Sequence, residues 1–190
     1  MNFAVCRLLA IAVLIAGCAT QQGAIDGPSR IEAPQAKSGD RWVYERINPF
    51  NRTVASELTE DAASEPLARL PFPLVPGMHW SEEVILPEPF GPPRVQKISG
   101  QVLGWERVST PAGELLALKV QIEMGLGDAE ADWTQTHRSD LVWYAPEVRH
   151  WVRIERRDER YARSGRTRNL RHDWIVWQLK EFTSSAPVSR

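Results

Sequence analysis

The chain has 190 residues and a formal net charge of -1. That near balance argues against a general nucleic-acid binder, and the length suits one ordinary domain. Eight tryptophans promise a substantial core or a large aromatic surface.

The first element is the apolar run in "LLAIAVLIAGCAT", residues 8–20. It follows a single cation, Arg7, and is too short to cross a bilayer, which takes roughly 20 apolar residues. A cationic start, a short apolar centre and small residues at the end are the marks of a secretory signal. Its last four residues, Ile15-Ala16-Gly17-Cys18, resemble the bacterial lipobox. The resemblance implies that the Cys18 thiol takes a diacylglyceryl group, that cleavage occurs before Cys18, and that the new amino terminus is acylated. Small side chains admit an extended backbone to the peptidase, and a thiol supplies the thioether sulfur. Such chains stabilise membrane binding by about 0.8 kcal/mol per buried methylene, so two or more make a firm anchor. No later segment is long and apolar enough to span. Ala19 stands where an aspartate would favour inner-membrane retention. The expected location is therefore the periplasmic face of an outer membrane. Of the two cysteines, Cys6 leaves with the signal and Cys18 carries lipid, so the domain has no disulfide and depends on packing.

The expected organisation is a signal over 1–17, a lipidated cysteine and flexible tether over 18–38, a β-rich domain over 39–183 and a frayed tail over 184–190. The tether reads "ATQQGAIDGPSRIEAPQAKS", without helical or strand period. "GDRWVYERIN" then opens with a turn signal and continues in β-formers. "RTVASELTED" is its hairpin partner across "NPFN". Prolines 66, 71, 73 and 76 exclude a central strand from "EPLARLPFPLVPGMHW". "HWSEEVIL" follows as a strand and "PEPFGPP" ends it. "GQVLGWERVST" and "GELLALKVQIEMG" form a hairpin across "TPAG". In the second strand, Leu116, Leu118, Val120, Ile122 and Met124 share a dry face. Leu115, Ala117, Lys119, Gln121 and Glu123 share a mainly wet one. "DWTQTHRSDLVWYA" and "RHWVRIERRD" pair across "PEV", and "RHDWIVWQLKEF" closes the domain. Short connections between successive strands predict antiparallel neighbours. The fold class is mainly β: a strongly curved antiparallel sheet, an open barrel or a sandwich, behind a signal helix and tether.

The segment from Glu155 to His172 is the most unusual. Arg156, Arg157, Arg160, Arg163, Arg166, Arg168 and Arg171 face only three acids, Glu155, Asp158 and Glu159. Lying between two strands, it reads as a projecting hairpin with Gly165 at its tip. Guanidinium forks suit phosphate and carboxylate, so the segment is a candidate patch for anionic lipid or an acidic envelope protein. The competing reading is a solvated strand end whose charges pair across the sheet. Tryptophans at alternating positions read as core before cavity lining. The histidines at 79, 137, 150 and 172 lack close ligand spacing. Asp128, Glu130 and Asp132 resemble a calcium loop only faintly, because Trp133 and Ser139 hold the places of its glycine and glutamate. There is no G-x-S-x-G elbow, P-loop or G-x-G-x-x-G. No cofactor is expected beyond the lipid on Cys18.

"GDRWVYE", "PGMHW", "GWERVSTPAGELLALKV" and "LVWYAPEVRHWVRIE", in that order, resemble a group of uncharacterised proteobacterial envelope proteins and lipoproteins. The resemblance covers about 40–155. It implies a β-rich envelope domain and transfers no catalytic residue. Arg149 stands where that pattern has its turn glycine. In length and anchoring the chain is also similar to outer-membrane lipoprotein receptors of the LolB kind, without their leucine-bearing loop. The leading expectation is a lipid-anchored, non-catalytic binding module. The alternatives are a carrier of lipid or another hydrophobic ligand, with a half-barrel cavity, and a hydrolase with a dispersed site.

Overall fold

The computed structural model describes residues 25–35, 37–64, 69–86, 94–126, 135–164 and 167–184. Regular structure there is all strand: β1 (Arg41–Ile47), β2 (Val54–Asp61), β3 (His79–Leu86), β4 (Arg94–Thr110), β5 (Gly113–Leu126), β6 (Gln135–Ala145), β7 (His150–Ser164) and β8 (Thr167–Thr183). They make one antiparallel sheet in the order β2-β1-β8-β7-β6-β5-β4-β3. Sequence neighbours pair as hairpins except β2 and β3, which lie at opposite edges, and β8 joins β1 to β7. β4 starts earlier than expected. "RVQKISG" belongs to it and pairs with β3, from Leu86↔Arg94 to His79↔Gln101.

The alternation in β5 sets the inner face. Val120 lies beside Val102 on one side and Val142 on the other, and Val142 beside Ile154. With Trp42, Tyr44, Leu118 and Leu179 they form a continuous buried core. Each such side chain contributes roughly 1.5–3 kcal/mol by leaving water. Register shifts at Val43/Tyr44, Val102/Gly104 and Trp143/Tyr144 mark bulges, which increase local twist. The sheet curls enough that β4 contacts β7 and β8, although two and three strands lie between them. In the β4–β5 turn, the Ala112 N–H donates to the Leu179 carbonyl at 3.3 Å. The curl is incomplete: β2 and β3 end the sheet without pairing to one another.

Residues 25–35 correct the tether expectation. Ile31 and Leu74 are buried in the core and exchange two backbone hydrogen bonds, of 2.9 and 2.8 Å. The Trp105 Nε1–H donates to the Pro28 carbonyl at 3.2 Å, and Gly27 lies so close to that indole that an added Cβ would collide with it. A segment without secondary-structure period still packs when one apolar residue finds a place in the core. Ser184 is likewise held, by Asp40.

Leu115 and Ala117 are buried rather than wet. The outer face carries its own small cluster: Trp143 donates Nε1–H to Glu106 at 2.8 Å, with Lys119 and Arg153 5.0 and 5.5 Å from its ring centre. Trp42, Trp143 and Trp151 are core residues, Trp80, Trp105 and Trp177 are half-buried, and Trp174 reaches the surface. Trp133 lies outside the described residues. The sheet has two ends. One carries the β4–β5 and β6–β7 turns and is called the turn end. The other carries the β1–β2, β3–β4, β5–β6 and β7–β8 connections and is called the hairpin end.

Candidate functional site

At the hairpin end, β7 and β8 pair from Arg153↔Gln178 to Ser164↔Thr167. This places the arginine-rich segment on one extended hairpin, as the sequence suggests. Its arginines do not form one patch. Arg156 turns inward. It donates from Nε and Nη2 to the Asp140 carboxylate at 3.0 Å each, while Arg138 donates Nη2–H to the same carboxylate at 2.7 Å. Asp140 is 1% exposed. Burial pushes its pKa up to about 6, Arg138 opposes the rise, and Asp158 and Glu123 add to it. Two guanidiniums around one buried carboxylate are a structural device, so Arg156 leaves the candidate patch. Arg157, one residue on, is exposed and lies 5.1 Å from the Trp174 ring centre. The backbones of Arg160 and Arg171 are paired, as are those of Arg163 and Arg168. Their side chains, and all of Arg166, lie outside the described residues. Cross-strand pairing of like charges raises the local positive potential.

Five of the seven exposed large apolar side chains among the described residues are at this same end: Phe50, Val54, Ile85, Val95 and Trp174. Phe50 is 83% exposed and meets Trp174 edge-on, with ring centres 5.9 Å apart. Ile85 is 69% exposed and faces Val95 across the β3–β4 pair. The sequence reading missed this gathering. Strand alternation names the face of each residue but not which hairpin tips share an end.

The turn end holds a second site that the sequence reading also missed. A cleft of about 380 Å³ is lined by Pro34, Leu70, Phe72, Tyr144, His150 and Trp151, with Arg69 and Arg149 at its sides. Behind it, His150 Nδ1 is 2.8 Å from the Tyr44 hydroxyl, and Nε2 is 3.3 Å from a carboxylate oxygen of Glu60. The Tyr44 hydroxyl also reaches the Trp151 carbonyl at 3.0 Å, and the Tyr44 and Trp151 rings stack 3.6 Å apart. Burial holds the His150 pKa down at about 4 and pushes Tyr44 well above the ordinary phenol value. Both ring nitrogens of His150 face protein partners, so neither stands free to take a substrate proton. Arg149 Nε and Trp151 Nε1 are buried without a hydrogen-bond partner among the described residues.

Among the described residues no three His, Cys, Asp or Glu stand together as metal ligands. Asp128, Glu130 and Asp132 lie outside them. So do Ile15, Ala16, Gly17 and Cys18, and among the described residues no helix is long and apolar enough to cross a membrane. Neither a family model, nor a curated protein, nor a solved structure matches the chain.

Proposed function

We propose that this chain is a lipid-anchored bacterial envelope protein, held by acyl chains on Cys18 and facing the periplasm from the outer membrane. Its β-domain is a non-catalytic binding module that engages another envelope component through its surface. The observation that carries the binding reading is the division of apolar side chains. The inner face is packed with core residues, while exposed apolar side chains stand in two groups on opposite flanks of the sheet, Phe50, Val54 and Trp174 beside the arginine-rich hairpin and Ile85 with Val95 on β3–β4. The Ile15–Cys18 motif and the likeness to envelope lipoproteins support the location. Mass spectrometry of the mature protein tests the anchor. The expected amino-terminal peptide begins at Cys18 and carries diacylglyceryl and acyl groups; a free Cys18 thiol would sink it. Photo-crosslinking from position 50 in intact cells tests the module, with a discrete adduct expected. A position-50 probe that yields no adduct beyond that of a turn-end probe counts against it.

A second reading, carriage of a hydrophobic ligand, is favoured by the cleft at Phe72, Tyr144 and Trp151. Its walls, from Leu70, Phe72, Tyr144 and Trp151, suit a small hydrophobic ligand. Native mass spectrometry with organic extraction separates the readings, because a stoichiometric ligand would put carriage first.

A further inference from the structure

Resting on the second reading, in which the turn-end cleft holds a hydrophobic ligand, we infer the class of that ligand. The cleft takes a compact, uncharged ring compound, an aromatic or alicyclic molecule without an ionised group.

The first support is the wall. The cleft holds about 380 Å³, toward the lower end of the ~300–1,000 Å³ typical of small-molecule sites. Four rings line it, those of Phe72, Tyr144, His150 and Trp151, together with Pro34 and Leu70. Neighbouring rings favour edge-on or offset-stacked contacts. Phe72 meets Tyr144 edge-on, with centres 5.1 Å apart, and Tyr44 stacks on Trp151. A flat ring entering the cleft extends this packing. A flexible chain would lose more rotamer freedom for the same contact.

The second support is preorganisation. The Tyr44 hydroxyl ties His150 Nδ1 at 2.8 Å and the Trp151 carbonyl at 3.0 Å. Those wall groups are fixed before any ligand arrives, so binding orders little. The same bonds back the cleft, which suits a compact molecule over a long acyl chain.

The third support is charge balance. Arg149 Nη2 meets Asp40 at 2.7 Å, so its charge is answered in place. Burial holds the His150 pKa down at about 4 and pushes the Tyr144 phenol up to about 12, so both are neutral near pH 7. Glu60 is buried behind His150, 3.3 Å from its Nε2. Arg69 is exposed at the edge, where salt screens it. An entering anion would meet the Asp40 and Glu60 carboxylates along with Arg149. It would shed its water without gaining a net opposite charge, which is costly.

The test uses the purified full-length chain and two matched photoaffinity probes. One is a trifluoromethyl-diazirinyl benzyl alcohol, which is neutral. The other is the corresponding benzoic acid, which is ionised at neutral pH. Adducts are located by peptide mass spectrometry and scaled to the adduct at exposed Phe50, which cancels partition into detergent. The alcohol is expected to label the peptides carrying Phe72, Tyr144 and Trp151 saturably and severalfold more than the acid. Leu70→Trp should fill the cleft and remove this labelling. Excess benzyl alcohol without the diazirine should remove it too, on the unaltered chain. Equal or stronger saturable labelling by the acid overturns the uncharged assignment and leaves a hydrophobic-ligand site standing. Labelling that never saturates, or that persists under excess benzyl alcohol, overturns the site and the second reading with it.

Discussion

Arg149 and Asp40 lie 109 residues apart in sequence and meet as a buried ion pair, Nη2 to Oδ2 at 2.7 Å. Arg149 adopts a φ of 57°, the left-handed conformation that glycine takes most easily. Its side chain supplies what a glycine there would lack. Asp40 also accepts from the Lys37 N–H at 2.9 Å and the Ser184 hydroxyl at 3.1 Å. Burial raises the Asp40 pKa, but the bonds from Arg149, Lys37 and Ser184 outweigh it and hold the carboxyl below its ordinary value. One carboxylate thus ties the start of β1, the β6–β7 turn and the end of β8.

Arg149→Ala would leave that carboxylate buried without its cation, at a cost of about 3–5 kcal/mol. Arg149→Gly loses the same pair but removes the backbone strain, so it should be roughly 1–2 kcal/mol less destabilising than the alanine variant. Urea unfolding midpoints for the two variants check both the loss and its order.

Neighbouring arginines should behave differently. Arg156→Ala leaves Asp140 with Arg138 alone and is expected to cost about 3 kcal/mol. Arg157→Ala loses only a surface stack on Trp174 and should cost at most about 1 kcal/mol. Equal losses in thermal unfolding would contradict the division of the arginine segment into an inner structural member and an outer one.

Two buried groups should give opposed pH dependences. The unfolded His150 ring takes its proton near 6.5 and the folded ring only near 4. Between those values the unfolded chain holds the extra proton, so the stability this residue contributes is whole above 6.5 and falls as pH drops toward 4. The loss is up to about 3 kcal/mol. Asp140 runs the other way: its folded carboxyl keeps the proton up to about 6, against 3.8 when unfolded. Its contribution is greatest below 3.8 and declines as pH rises through 6. The wild-type stability should therefore be flatter across this window than that of either variant. Asp140→Asn should become more stable with rising pH, and His150→Gln less stable. Denaturation midpoints measured across the window decide it, and parallel slopes in the two variants would refute the assignment.

Gly100 lies under the Trp80 ring, across the β3–β4 pair, where an added Cβ would collide with it. Gly100→Ala should displace the indole at a cost of about 1–3 kcal/mol. Near-ultraviolet circular dichroism would report the displacement, and an unchanged aromatic spectrum would speak against this contact.

Much of the fold was legible because β alternation is local. Leu118, Val120 and Ile122 declare their face within a few residues, and TPAG and PEV declare their hairpins. The insertion of β8 between β1 and β7 was not legible, since it depends on contacts between chain ends. Ile31 was hidden in a stretch whose composition reads as linker, because a single apolar residue makes no period. The arginine segment was legible as an unusual run. Its division was not, because only the register shows that Arg156 lies opposite Asp140 while Arg157 lies opposite Trp174. The His150 cleft draws on residues from 34 to 151, and no short motif spans that distance.

The place of β8 also bears on how the chain matures. The segments that become β1 and β2 are synthesised first, yet β1's second neighbour is the last of the eight strands. Until then the early hairpin has no sheet to join, while β3 to β7 can assemble in succession. A premature stop before Thr167 would remove an interior strand and sever β1 and β2 from the rest, not merely shorten an edge. The strand β8 therefore acts as a completion check, and a chain that lost it would offer unfinished strands to proteases.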